Sequence, residues 1–334
     1  MRSPLRPALA SALAVVLLGV APTAAAPAPE AARQADEITR VVVISVDGLN
    51  PDAITKLGAT GTPTLHRMMA EGTWTFNART EVEQTVTLPN HTGMLTSRRI
   101  DRTHGGHGVT WDDDRLTPRT VQAAAGHPVA SVFSRLESAG LSTAMFASKT
   151  KFSLFQRSWP GMDRAVINLD NGALVSRLRT DLTTASRAFT FVHLSAPDLA
   201  GHAHGWLGPA YLTAVRQADT LIGQVLDTVA GTNTVVVVTS DHGGQGYGHS
   251  DYHRLADYRI PFLVWGSGVP AGRDLYSLNP TYADPGTRRP GYVAARQPVR
   301  NGDVGNLVLD VLGLPAIPGS QLDRAQDLDV LAAP

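Results

Sequence analysis

Seven residues of this 334-residue chain have the types and placements of a two-metal catalytic site. Asp47 closes the run Arg40-Val41-Val42-Val43-Ile44-Ser45-Val46. Thr87 sits in Thr85-Val86-Thr87-Leu88-Pro89-Asn90-His91. Asp198 and His202 share Pro197-Asp198-Leu199-Ala200-Gly201-His202. Asp241 and His242 open Asp241-His242-Gly243-Gly244, and His249 follows in the same loop. Each feature alone has an ordinary explanation: an Asp-Gly turn, a Thr helix cap, an Asp-x-x-x-His ion pair, an Asp-His strand end. Together they are three carboxylates, three imidazoles and one hydroxyl. Carboxylate oxygen and neutral imidazole nitrogen are good ligands for Zn²⁺ near neutral pH. Six such ligands suffice for two divalent ions, and two ions can hold the attacking and leaving oxygens of an in-line displacement at phosphorus. A Thr hydroxyl is a weak nucleophile by itself, so a metal is its plausible activator.

The elements around these residues put them on one edge. Residues 40–46, 142–147, 188–194, 234–240 and 260–265 are short β-branched or aromatic runs that read as buried strands, and 74–80 as a further strand. Helical spacing covers 63–72, 128–139 and 304–312. It is clearest over 211–229, where apolar residues recur at three–four intervals and Gly231 closes the pattern. Strands alternating with helices imply an α/β fold, doubly wound, with a mostly parallel central sheet flanked by helices. Ligands of such sheets bind beyond the carboxyl ends of the strands, and Asp47, Asp198 and Asp241-His242 all follow predicted strands.

Composition narrows the classes. With 43% hydrophobic and 17% charged residues the chain is not disordered. It carries 29 basic and 29 acidic residues, which argues against binding a nucleic-acid polymer through bulk positive charge. The absence of Cys removes disulfides, thiolate metal sites and cysteine nucleophiles, so a metal site must use His and carboxylate. Arg2 and Arg6 precede an apolar run, 8–21, and then small residues, the pattern of a secretory signal with cleavage after Ala25. The expected organisation is a signal over 1–25, a flexible leader over 26–39, a catalytic domain over 40–320 and a C-terminal tail over 321–334. The mature chain would be secreted, with no membrane anchor.

On these motifs the chain resembles the alkaline phosphatase superfamily, and within it the nucleotide pyrophosphatase/type I phosphodiesterase branch. The marks are Ser45-Val46-Asp47-Gly48, Thr87-Leu88-Pro89-Asn90-His91, Pro197–His202, Ser240-Asp241-His242-Gly243-Gly244 with His249, and Ile260–Gly266. The resemblance covers about residues 40–320. It implies a hydrolase of small phosphorylated substrates, most of all of phosphodiester and pyrophosphate bonds, with Thr87 as nucleophile through a phospho-threonine intermediate. It implies two divalent metals, usually zinc. Asp47, Thr87, Asp241 and His242 would hold the one that activates the nucleophile, and Asp198, His202 and His249 the second. Substrate contacts are expected from Asn90 at the helix start, from Asp112, and from Lys149 and Lys151 after the 142–147 strand, where a solvated loop is an equal explanation.

Two departures stand out. Asp112, in His107-Gly108-Val109-Thr110-Trp111-Asp112, takes the place of an Asn that contacts a phosphoryl oxygen in the family. A carboxylate there repels phosphate unless protonated or metal-bound. His253 also competes with His249 as the third metal imidazole, with His249 preferred. A phosphomonoesterase or phosphonate hydrolase on the same fold, and a non-catalytic binding protein with a retained fold, are the alternatives. The sulfatase branch is disfavoured because neither Cys nor its motif occurs.

Overall fold

The computed structural model describes residues 37–332 and Met1. The expected signal and the leader up to residue 36 lie outside the described residues, Met1 aside. In chain order the main elements are β1 (Arg40–Val46), α1 (Pro51–Gly61), α2 (Pro63–Glu71), β2 (Thr73–Arg79), α3 (Thr87–Thr96), α4 (Val132–Ser138), β3 (Thr143–Ala147) and β4 (Arg164–Ile167). They continue with α5 (Asn171–Thr184), β5 (Phe189–Leu194), α6 (Ala196–His204), α7 (Pro209–Val229), β6 (Thr234–Thr239), β7 (Arg259–Gly266), β8 (Arg273–Asp274) and α8 (Val304–Val311).

The eight strands form one sheet in the order β4-β3-β5-β1-β6-β7-β2-β8. β4, β3, β5, β1 and β6 run parallel, β7 is antiparallel to both of its neighbours, and the short β8 pairs parallel to β2. The doubly wound, mostly parallel α/β expectation describes this sheet. β7 carries Pro261, which has no N–H for a ladder. Its register falls opposite the irregularity between Thr75 and Ala78 of β2, so no ladder bond is required of it there.

Both faces of the sheet are covered, which is why its strands read as unbroken apolar runs. In β1, Val41 and Val43 pack on one side with Leu88, Met94 and Leu95 of α3 and with α4 and α8. Val42, Ile44 and Val46 pack on the other side with α1, α2, α5 and α7. The same period of two divides β6 and β5. α3 and α6 therefore approach the carboxyl ends of the central strands from opposite faces.

Some boundaries differ from the sequence expectation. The helix expected over 128–139 spans only Val132–Ser138, because Ser131 accepts from the Ser134 N–H and caps it. α1, α5, α6, β4 and β8 were not anticipated; α6 carries a Gly and two His, and α5 opens on Asn-Gly, so neither shows a strong apolar stripe. Ile38, expected in the leader, is buried in the core, and the Thr39 N–H bonds the Asn233 carbonyl. The segment assigned to a tail is tied to the fold: Leu322, Leu328 and Val330 are buried, and the Leu322 N–H donates to the Ser97 carbonyl. Among the described residues no helix is long and apolar enough to cross a membrane.

Candidate active site and metal centre

β1, β5 and β6 end side by side, and the next residues of each form the site. The Asp47 N–H extends the β1–β5 ladder by bonding the Leu194 carbonyl at 2.9 Å. The chain must then turn sharply. Gly48 does so at φ +69°, donating its N–H to Asp241 Oδ1 at 3.1 Å; a Cβ there would lie 3.1 Å from the Asp198 Cα. Tyr211 Oη from α7 and Trp206 Nε1 both donate to the Gly48 carbonyl, at 2.7 and 3.0 Å, and hold the turn. Asp198 comes from the first turn of α6, and His202 from its last. Trp206 packs so closely on α6 that a Cβ at Gly201 would meet its indole at 2.6 Å.

The expected ligands converge in two overlapping groups, Asp47 with Asp241 and His242, and Asp198 with His242 and His249. His242 Nε2 lies 3.3 Å from Asp47 Oδ1 and 3.3 Å from Asp241 Oδ2. His249 Nε2 lies 3.7 Å from Asp198 Oδ1, and His202 Nε2 lies 3.4 Å from the same oxygen and 3.1 Å from His249 Nε2. All of these residues are buried except His202, which stands at the rim. His253 is outside the cluster: its backbone N–H donates to Asp251 Oδ1 and its ring packs on Tyr252.

The hydrogen bonds show which atoms the protein leaves for a ligand. One atom of each residue is tied. Asp47 Oδ2 pairs with His193 Nε2 at 3.0 Å and with Lys149 Nζ at 2.5 Å, and Asp198 Oδ2 with Lys149 Nζ at 2.7 Å. Nδ1 of His202, His242 and His249 lies 3.0, 2.9 and 2.6 Å from the carbonyls of Tyr247, Gly243 and Thr85. The opposite atoms Asp47 Oδ1, Asp198 Oδ1, Asp241 Oδ2 and His242 Nε2 are buried with no hydrogen-bond partner among the described residues. A buried carboxylate oxygen without a partner is costly. Three such oxygens converging with one unpartnered imidazole nitrogen fit a cation, and backbone carbonyls fix each imidazole in its ligating orientation.

Electrostatics agree. Burial would push the Asp47 carboxyl up, but Lys149, the hydrogen bond from His193 and the nearby His242 imidazole outweigh it and hold Asp47 well below the usual range. Burial and the charge of Asp47 push Asp241 well up. Burial alone would lower His242, yet Asp241, Asp47 and Asp198 raise it to about 10. Asp241 and His242 thus hold protons beside the ionised Asp47, and a divalent cation would displace them. His249, stacked on His242 at 3.6 Å, is pushed down to about 2 by burial and by that neighbour, which leaves it a neutral ligand.

Thr87 is the first residue of α3 and is buried. Its segment is anchored to both groups. Two residues ahead, the Thr85 carbonyl meets His249 Nδ1, and the Thr85 hydroxyl donates to the His249 carbonyl. One turn beyond, His91 Nδ1 bonds the Thr87 carbonyl at 2.7 Å and lies 3.5 Å from Asp241 Oδ2.

The expected substrate contacts are placed otherwise. Asn90 is fully buried: it accepts from the Glu81 N–H and donates to the Gln84 and Val86 carbonyls, so it shapes the loop before Thr87 and does not face a substrate. Lys149 is committed to Asp47 and Asp198, and Lys151 lies 2.9 Å from Asp112 Oδ1. Ion pairing with nearby carboxylates takes both ammonium groups before any phosphate can. Trp111, Phe152 and Phe155 are buried wall residues. His193, Trp206 and Asn301 were not anticipated; Asn301 Nδ2 donates to the Asp241 carbonyl at 3.1 Å. A lone His inside the apolar run 188–194 is the one signal that pointed to His193.

A family model described as type I phosphodiesterase/nucleotide pyrophosphatase matches residues 41–260, more than half of the chain. The chain belongs to that family. Within this phosphodiesterase-family chain, the two ligand groups are the candidate metal sites. Its fold is that of murine ectonucleotide pyrophosphatase/phosphodiesterase 5, with a TM-score of 0.64 and 15% identity over 88% of this chain and 100% of that one. An inactive variant of the murine protein in complex with AMP gives 0.61 and 14%, over 84% and 96%. The human counterpart gives 0.58 and 13%, over 84% and 96%. A 104-residue stretch, 30% of this chain, is 32% identical to GPI ethanolamine phosphate transferase 1 of Saccharomyces cerevisiae. A 131-residue stretch, 37% of this chain, is 29% identical to the Emericella nidulans protein of that name. These stretches span 11% and 14% of the two relatives' lengths.

Proposed function

We propose that the protein cleaves phosphodiester or pyrophosphate bonds of small nucleotide-like substrates, with Thr87 as nucleophile at a two-zinc site. The observation that carries this is the bracketing of Thr87 between the two ligand groups, through Thr85–His249 on one side and His91–Asp241 on the other. Zinc held by Asp47, Asp241 and His242 with Thr87, and by Asp198, His202 and His249, would favour the ionised hydroxyl and balance phosphoryl charge. The Thr87 oxygen attacks phosphorus in line, the bond to the leaving oxygen breaks, and water then cleaves the phospho-threonine. His91 holds the first turn of α3 against Asp241, and His193 with Lys149 holds Asp47. The complex of the murine neighbour with AMP supports a nucleotide-like substrate.

The test is bound zinc and turnover of bis-p-nitrophenyl phosphate for wild type and Thr87→Ala. Two zinc per chain in both, with turnover lost by about 10⁴-fold or more in the variant, is the expected result. Loss of zinc without loss of rate would refute it. Export follows from the N-terminal pattern, and N-terminal sequencing of protein recovered outside the cell should begin at Ala26.

A second reading is favoured by the similarity to ethanolamine phosphate transferases: an alcohol, in place of water, takes the phosphoryl group from Thr87. With bis-p-nitrophenyl phosphate as donor and added ethanolamine, formation of the ethanolamine p-nitrophenyl phosphodiester in place of p-nitrophenyl phosphate would show it.

A further inference from the structure

Asp112 occupies the place where a phosphoryl oxygen would be received. Its Oδ1 accepts the Leu88 N–H at 2.8 Å. Leu88 is the second residue of α3, so its N–H is one of those at the helix start without an intrahelical carbonyl. It also directly follows Thr87. A phosphorus attacked by Thr87 would offer an oxygen to this same donor.

The carboxylate is fixed there. Lys151 Nζ lies 2.9 Å from Asp112 Oδ1 and 2.9 Å from the Asp112 carbonyl, and so grips both ends of the residue. Asp113 pairs with Arg115, and Asp114 accepts from the Thr150 hydroxyl and lies in the field of Arg157, so Lys151 is the cation on Asp112 itself. Lys149 is held by Asp47 and Asp198 and lends no free charge.

The charge states of the reaction give this a consequence. A phosphodiester carries one negative charge, and so does the diester formed on Thr87. A phosphomonoester near neutral pH carries nearly two. We propose that Asp112, fixed by Lys151 and the Leu88 N–H, is a selectivity element that admits singly charged phosphodiesters and turns away doubly charged phosphomonoesters. The inference rests on Thr87 being the nucleophile. Among the substrate, the diester on Thr87 and the product, the monoester product meets the largest repulsion, so Asp112 also favours its departure.

A plain structural role is the competing account, because Val86 makes no side-chain cap and Asp112 caps α3 in its stead. Selectivity separates the two. The zinc-loaded mature protein is compared with Asp112→Asn and Lys151→Met for kcat/KM on bis-p-nitrophenyl phosphate and on p-nitrophenyl phosphate. Calorimetry gives the affinity of each for inorganic phosphate. Asp112→Asn should shift the monoester-to-diester ratio upward by about tenfold or more and tighten phosphate binding by a similar factor. Lys151→Met, which leaves Asp112 uncompensated, should shift both the other way. An unchanged ratio with unchanged phosphate affinity in Asp112→Asn, whatever its stability, would overturn the inference. Should wild type turn over neither ester, the Thr87 mechanism fails, and phosphate affinity alone then decides on Asp112: tighter supports the charge filter, equal refutes it.

Discussion

His193 places Nε2 3.0 Å from Oδ2 of Asp47, and Oδ1 of that carboxylate is then the end without a partner. A ligand held from behind in this way is pre-oriented, and loss of such support typically costs about 10- to 100-fold in metal affinity. His193→Ala should therefore bind zinc about 10- to 100-fold more weakly, read by competition with a chromogenic chelator. Equal affinity would mean that Lys149 alone orients Asp47.

Metal should also stabilise the fold, because it would give partners to the buried oxygens Asp47 Oδ1, Asp198 Oδ1 and Asp241 Oδ2. At free zinc a hundredfold above its dissociation constant the gain is about 2.7 kcal/mol. Thermal unfolding with zinc and after exhaustive chelation measures it. Coincident midpoints would count against metal binding at these residues.

His107 is fully buried, and burial with the nearby Arg98 pushes it down to about 3. A folded value below the unfolded one stabilises at high pH, so the contribution is complete above about 6.5 and is lost as pH falls toward 3. The loss is about 1.4 kcal/mol per pH unit for this one proton. Urea titrations of wild type and His107→Asn between pH 6.5 and 5 should show the variant less acid-sensitive by that slope. Parallel curves would refute the assignment.

Glu81 has the opposite sign. Burial raises it to about 8 despite a hydrogen bond from Tyr292. The Tyr292 hydroxyl touches both Glu81 Oε2 and, at 2.6 Å, Glu83 Oε2, and it accepts the Val82 N–H. A phenol has one proton to donate, so one of the two carboxyls must bring its own. The raised value makes the contribution complete below about 4.5 and lost as pH climbs through 8, again at about 1.4 kcal/mol per unit. Glu81→Gln should gain on wild type steadily from pH 5 to pH 8 in the same titrations. A constant gap would show that Glu81 is ionised in the folded state.

Asp47, Asp241 and His242 were legible because each ends a buried apolar run, and a polar residue directly after a parallel strand must sit at its carboxyl edge. Asp198, His202 and Thr87 were legible as motifs, although α6 itself was not. The choice of His249 over His253 was open in the sequence, since both lie in one loop and only the bond to the Thr85 carbonyl draws one of them inward. Lys149, Lys151 and Asn90 were misread for a common reason. A cation or amide near a site looks like a substrate contact until its partners are known, and their partners include Asp47, Asp198, Asp112 and Glu81.

By itself the sequence determined the long buried strand runs, the type of ligand chemistry and which residues stand at their ends, all of which depend on local order along the chain. Tertiary structure alone decided which atom of each ligand is tied and which is left free. His193 reaches Asp47 because β5 lies beside β1, with His193 level with Ser45. Asp112 reaches Leu88, and Lys151 reaches Asp112, across turns whose geometry no local pattern encodes. Hydrogen bonds are short-ranged and directional, so their partners are set by strand order and packing and not by distance along the chain.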